Sequence, residues 1–443
     1  MPGAALRTAA AGLLLAAGLV QGALAAPTDP AERKMVATVA AEHGRNLALL
    51  EKLVRVNSGT MNFKGVEAVG QMVRAELEPL GFVVRWVPMA QVGRAGHIVA
   101  THKGNGRGKR ILLIGHLDTV FELDSPFQGW TRKGDIVEGP GVNDMKGGDV
   151  IMIAALRAMQ AAGTLKDADI TVVMTGDEEK PGTPLAIDRA DLIAAGKASD
   201  VALEFEGLAR YGGQDIGSIA RRSSNSWTLK AHARSGHSSG VCTPDAGCGA
   251  AYELVRILDE FRRELPEPNL TYNVGLLAAG SSADVNAAET GASATGKSNV
   301  IAAEAVAVGD IRTLSNDQEA RVRAKMQAIV ARHLPKTQAE LTFAETGYPA
   351  MAPTEGNKAL LARLNDVNRT LGLPQMPQGD PARRGAGDIA FVSFIDGLVG
   401  LGMAGEGSHA PGETADLTSL DVQASRAALL IHRLSKEPRA KAR

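Results

Sequence analysis

Short apolar runs along this chain repeatedly give way to acidic residues or histidine, and that alternation sets the reading. Ile111-Leu112-Leu113-Ile114 leads to His116 and Asp118, and Ile170 to Met174 leads to Asp177, Glu178 and Glu179. Val201-Ala202-Leu203 runs into Glu204 and Glu206, and Leu398 to Gly402 leads on to His409. Such runs predict buried strands. Helix-like stretches lie between them. Asp149 to Ala162 is rich in Ala, Met and Leu and lacks proline, which predicts a helix packed on a sheet. The expected fold is therefore α/β, with a mixed, mostly parallel sheet covered by helices. Active sites in open α/β sheets lie beyond the carboxyl ends of strands, so the polar clusters are expected to share one crevice.

From about residue 218 to 336 the plan changes. A strand near Ser226 to Leu229 precedes a helix, Ala250 to Glu264, that stops at Pro266. A second strand, Ala305 to Val308, and a second helix, Asp317 to Arg332, follow before Pro335. This set has the size of a small inserted α+β domain. Gly212-Gly213-Gln214-Asp215 reads as a hinge before it. The expected organisation is a catalytic domain in two parts, 26–217 and 337–443, with a lid domain, 218–336, inserted between them.

At 443 residues the chain exceeds one ordinary core. Its formal net charge of −1 gives no global attraction to nucleic acid or anionic membranes. Arg7, the apolar stretch Ala11 to Val20 and Ala23-Leu24-Ala25 have the layout of a secretory signal, residues 1–25. The stretch is too short for a comfortable membrane span. The expectation is a periplasmic or secreted protein without stable membrane insertion. The only cysteines, Cys242 and Cys248, are compatible with a local bridge in an oxidising compartment, and sequence leaves bridged and free states equally open.

The polar clusters suggest a hydrolytic metal centre. His116 and Asp118 are two apart, so on extended chain they share a face, and Asp118 can accept the free ring N–H of His116. Gly139-Pro140-Gly141-Val142-Asn143-Asp144 lets the backbone take unusual angles and bring Asp144 close, placed to bridge two ions. Glu178 and Glu179 are adjacent, and like charges so close are costly unless a cation neutralises them. In a turn they can divide the work, one binding metal and the other meeting a water. Either Glu204 or Glu206, on one strand face, could complete the set. Gly291 to Ser298 satisfies the phosphate-loop pattern, but the flanking residues predict neither the strand nor the helix that motif needs. It reads as a loop.

His116-Leu117-Asp118-Thr119-Val120, Asp144-Met145-Lys146-Gly147-Gly148, Asp177-Glu178-Glu179-Lys180 and Ser408-His409 together resemble the di-zinc peptidases that include glutamate carboxypeptidase, aminoacylase, acetylornithine deacetylase and succinyl-diaminopimelate desuccinylase. The glutamate carboxypeptidase branch is most similar, over about residues 40 to 430. The resemblance implies that His116, Asp144 and Glu206 bind one zinc, and that Asp144, Glu179 and His409 bind the other. Cobalt or manganese can use similar ligands. The three carboxylates carry −3 against +4 for two zinc ions, a surplus that a bound hydroxide would cancel. Glu178 is then the general base and later the proton donor to the leaving amine. A cis peptide between Asp144 and Met145 is also implied.

On the lid, the resemblance makes His237 a donor to the oxyanion from the neighbouring subunit of a homodimer formed through that domain. Asn299 and Arg312 match the segments that hold the substrate carboxylate. Two departures bear on specificity. Tyr348, before Pro349, stands where glutamate carboxypeptidases have arginine, which weakens the case for C-terminal glutamate. Gly387-Asp388-Ile389 replaces the usual Ser-Asp-Ala. The expected activity is zinc-dependent cleavage of an amide bond beside a free carboxylate, in a peptide or N-acyl amino acid. The alternatives are a dipeptidase or deacylase of the same family, or a catalytically silent exported binding protein.

Overall fold

A computed structural model describes residues 27–383 and 385–439. The expected signal segment, 1–25, lies outside the described residues. The main sheet has six strands in the order Val83–Pro88, Gly96–His102, Asp169–Thr175, Arg110–His116, Val201–Glu204 and Asp396–Val399. The last four run parallel, and the first two add an antiparallel edge. Side chains of a strand alternate between faces, and here both faces are covered. Ile111 and Leu113 join a large core with Val150, Ile153, Leu429 and Leu430 on one side. Leu112 and Ile114 join Val173, Ala202 and Ile389 on the other. Double-sided burial explains why this strand reads as a continuous apolar run. Each fully buried Leu or Ile contributes roughly 1.5–3 kcal/mol.

The helices Lys146–Ala161 and Thr418–Lys436 cover the first face. The first of these is nearly all buried, in keeping with its apolar composition. In the register of the parallel strands, Ile114 lies opposite both Val173 and Glu204, so the strands end at one level. The polar residues that follow them therefore emerge along one edge.

The second sheet is antiparallel, in the order Thr271–Gly280, Glu304–Arg312, Asn225–Ala233, Thr337–Phe343. Helices Ala250–Glu264 and Asn316–Val330 supply its core, where Trp227 meets Phe261 edge to face at 6.1 Å. The expected end of this unit at residue 336 is too early, because Thr337–Phe343 pairs with Asn225–Ala233 along its whole length. Its alternating burial, with one face wet, gave too weak an apolar signal to place it.

Two further expectations need correction. Gly212 and Gly213 do not form a hinge. Both have positive φ and turn a hairpin between Ala209–Tyr211 and Gln214–Ile216, which Asp215 ties down through Arg210 at 2.8 Å and Arg426 at 2.7 Å. The phosphate-loop look-alike is not a plain loop either, since Ala292–Thr295 pairs with Ser282–Val285 as a hairpin arm and no helix follows. Cys242 and Cys248 are joined by a disulfide in the loop between His237 and the helix Ala250–Glu264.

Candidate metal centre

Five side chains form one line of contacts at the carboxyl edge of the main sheet. Glu206 Oε1 lies 3.3 Å from His116 Nε2, which lies 3.2 Å from Asp144 Oδ1. Asp144 Oδ2 is 3.1 Å from His409 Nε2, which is 3.2 Å from Glu179 Oε2. Asp144 thus turns one oxygen to each histidine. Between the two acids left open by sequence, Glu206 faces His116, whereas Glu204 is buried and accepts the Ile389 N–H at 2.8 Å.

Local structure fixes each of these groups. The loop before Asp144 wraps around Glu413, whose carboxylate accepts the N–H groups of Gly141 (3.0 Å), Asn143 (2.7 Å) and Asp144 (2.9 Å). The Asp144–Met145 peptide is cis, as the resemblance implied. The helix that follows can approach because Gly148 lacks a side chain; a Cβ there would lie 1.8 Å from the Phe205 carbonyl oxygen. His409 is not at a strand end. It sits between Gly405–Glu406 and Thr414–Asp416, strands of a small separate sheet, with a left-handed φ of 67°. Non-glycine residues adopt that conformation at a cost, and such outliers cluster at functional sites.

Asp118 stays beside the His116 ring, as expected, and its carboxylate also serves a second purpose. The strand ends at His116, so the two residues no longer share an extended face. The ring Nδ1 lies 3.1 Å from the Asp118 carbonyl oxygen and 3.4 Å from its carboxylate. That carboxylate accepts Thr60 Oγ1 at 2.6 Å and the N–H groups of Glu178 (3.0 Å) and Glu179 (3.2 Å). It therefore fixes the turn that separates the two glutamates.

The electrostatics call for cations. Burial disfavours charge on His116, but Asp118, Asp144 and Glu206 together outweigh it and raise its pKa well above the imidazole norm. Asp144 and Glu179 raise His409 to about 11. Burial, with Asp144 nearby, lifts Glu179 to about 7, and burial also pushes Glu178 well above the usual carboxylate range. Glu179 Oε1 is buried without a hydrogen-bond partner. His116, Asp144 and Glu179 offer ligand atoms all within 4.8 Å of one another. Imidazole and carboxylate donors with an orphaned buried oxygen suit a divalent ion.

A cavity of about 510 Å³ opens over this line. Glu178, Arg221, Arg312 and Tyr348 share its wall with Asp144, Glu179, Glu206 and His409. Arg312 Nε also donates to Asp310 at 3.1 Å. His237 and Asn299 do not line the cavity within one chain. They lie together on the second domain, where the Ser238 N–H donates to the Asn299 carbonyl and the His237 ring meets Ser239 Oγ at 2.8 Å.

A second group of similar composition lies deeper. His97, Asp177 and Asp188 are also close enough to hold an ion, but a protein cation already occupies their midst. Arg189 donates to Asp177 at 2.8 Å, to Asp188, and through Nε to Asp388 at 2.8 Å. Sequence reasoning missed Glu413, Arg221 and Arg189. Glu413 acts through backbone N–H groups, and its only advance sign is an acid four residues past His409 in a glycine-bearing loop. Arg221, whose Nη2 lies 3.3 Å from Glu206, is half of an Arg-Arg pair in an otherwise uncharged stretch.

Known proteins are similar to this chain over most of its length. Carboxypeptidase G2 of Pseudomonas sp. (strain RS-16) is 28% identical over 440 residues, covering 96% of this chain and 97% of its own. A succinyl-diaminopimelate desuccinylase of Novosphingobium aromaticivorans is 28% identical over 388 residues, covering 85% and 95%. In fold, a tripeptidase of Staphylococcus aureus matches with a TM-score of 0.66 at 17% identity, over 89% of this chain and 99% of its own. A dinuclear metal-binding peptidase of Bacillus subtilis matches at 0.60 and 18% identity, over 89% and 98%. The model of peptidase family M20/M25/M40 matches residues 112–433, a span holding every group in the line of contacts, and the chain belongs to that metallopeptidase family.

Proposed function

We propose that this metallopeptidase is an exported di-zinc hydrolase that cleaves an amide bond beside a free carboxylate, as a carboxypeptidase or N-acyl-amino-acid amidase. The observation that carries the reading is Asp144 facing both His116 and His409 at about contact distance while Glu178 lines the same cavity. In this reading His116, Asp144 and Glu206 hold one zinc, and Asp144, Glu179 and His409 the other. Bound zinc ions supply carbonyl polarisation and acidify a water. Glu178, which lines the same cavity, would take a proton from water and hand it to the leaving amine. Arg312 clamps the substrate carboxylate. Tyr348 in the place of an arginine argues for a less acidic side chain beside that carboxylate than glutamate.

His237 and Asn299 reach a site only from a second subunit. Support for a homodimer comes from the lid sheet, whose edge strand Thr271–Gly280 is unpaired on one side and exposes Val274 and Leu277, with Tyr252 and Val255 exposed on the helix Ala250–Glu264. Sedimentation should find a dimer in solution. No described helix is long and apolar enough to cross a membrane. The test of the chemistry is Glu178→Gln. It should retain two zinc ions per chain by elemental analysis while hydrolysis of C-terminal peptides and N-acyl amino acids falls by about 10²–10⁴. A variant that keeps wild-type turnover would sink the reading.

A further inference from the structure

Tyr348 does more than mark the absence of an arginine. Its ring is 6% exposed and packs edge-on against Phe391 at 5.0 Å. Its hydroxyl donates its single proton to the backbone carbonyl of Glu178 at 2.8 Å and accepts from Arg189 Nη2 at 2.7 Å. The same Arg189 nitrogen reaches the carbonyl of Asp177 at 3.2 Å. Both carbonyls at the start of the glutamate turn are therefore held by one phenol–guanidinium pair. On the opposite side of the turn, Asp118 holds the N–H groups of Glu178 and Glu179. With its proton already committed, the hydroxyl cannot also donate to a substrate.

We infer that Tyr348 is a positioning residue, which sets the Glu178 carboxylate against the scissile amide by gripping the Glu178 carbonyl, rather than a contact for the substrate side chain. This rests on the proposed role of Glu178 as general base. A misplacement of about 1 Å in a reacting group costs roughly a hundredfold in rate, so the effect belongs in kcat.

The experiment compares zinc-loaded wild type, Tyr348→Phe and Phe391→Leu on N-acyl amino acids of varied side chain. Tyr348→Phe removes one oxygen and keeps the ring; Phe391→Leu loosens the packing and keeps the hydroxyl. Tyr348→Phe should lower kcat by about 10- to 100-fold with KM within about twofold across the panel, and with two zinc ions per chain. Phe391→Leu should stay within about threefold of wild type in kcat. Unchanged kcat in Tyr348→Phe, a change confined to KM, loss of zinc, or an equal fall in Phe391→Leu would each overturn the inference. In all four of those outcomes an active wild type leaves the hydrolase reading standing. A wild type that hydrolyses nothing instead brings down that reading and the inference together.

Discussion

Among the described residues, two clusters of imidazole and carboxylate are close enough to hold an ion, and they have opposite fates. The deeper one joins His97, Asp177 and Asp188 around the guanidinium of Arg189, which also donates to Asp388. The shallower one joins His116, Asp144, Glu179, Glu206 and His409, and among the described residues Arg221, at its far margin, is the arginine ion-paired with it. The deeper cluster is sealed, whereas His409 keeps 60% of its side chain exposed. Ligand-like composition alone therefore does not make a metal site. What decides is whether the protein supplies its own positive charge and whether an ion can enter.

The comparison can be attacked directly. Removing the internal cation with Arg189→Met leaves Asp177, Asp188 and Asp388 buried without their partner. It should cost about 3–5 kcal/mol in denaturant unfolding, as broken buried pairs do. An unchanged unfolding midpoint would show that the deeper cluster does not depend on its guanidinium. For the shallower cluster, Glu413→Gln keeps the side-chain shape but presents an amide nitrogen to backbone donors. Zinc affinity, read by competition with a chelator, should fall about 10- to 100-fold, with the fold retained. Wild-type affinity would mean that the loop around Asp144 holds itself. The smallest effect is expected away from both clusters. Replacing Cys242 and Cys248 with serine opens a loop of six-residue separation and should cost at most about 2 kcal/mol, without altering zinc content.

The contrast also explains what the sequence made legible. Strand ends on a parallel sheet have a local signature, an apolar run followed by polar residues, which marked out His116, the Glu178–Glu179 pair and the Glu204/Glu206 alternatives, while the choice within each pair came from the resemblance. Asp144 was found through glycines, because a loop that must approach a metal closely advertises its lack of side chains. His409 was legible as a residue but not as a conformation, since its hairpin depends on Glu413 and on strands that are very short. The lid's last strand escaped notice because half of its side chains face water. Arg189, Arg221 and Glu413 share a different reason: each works through contacts between segments far apart in the chain, and no spacing rule records those.

The grip of Glu413 on Gly141, Asn143 and Asp144 spans about 270 positions of the chain. Until that glutamate has been synthesised and folded into place, three donors around the central aspartate lack this acceptor, and His409 is missing as well. A chain that stops before residue 409 lacks His409, the acceptor for the Asp144 loop and the helix Thr418–Lys436 over the main sheet, so its line of contacts is incomplete.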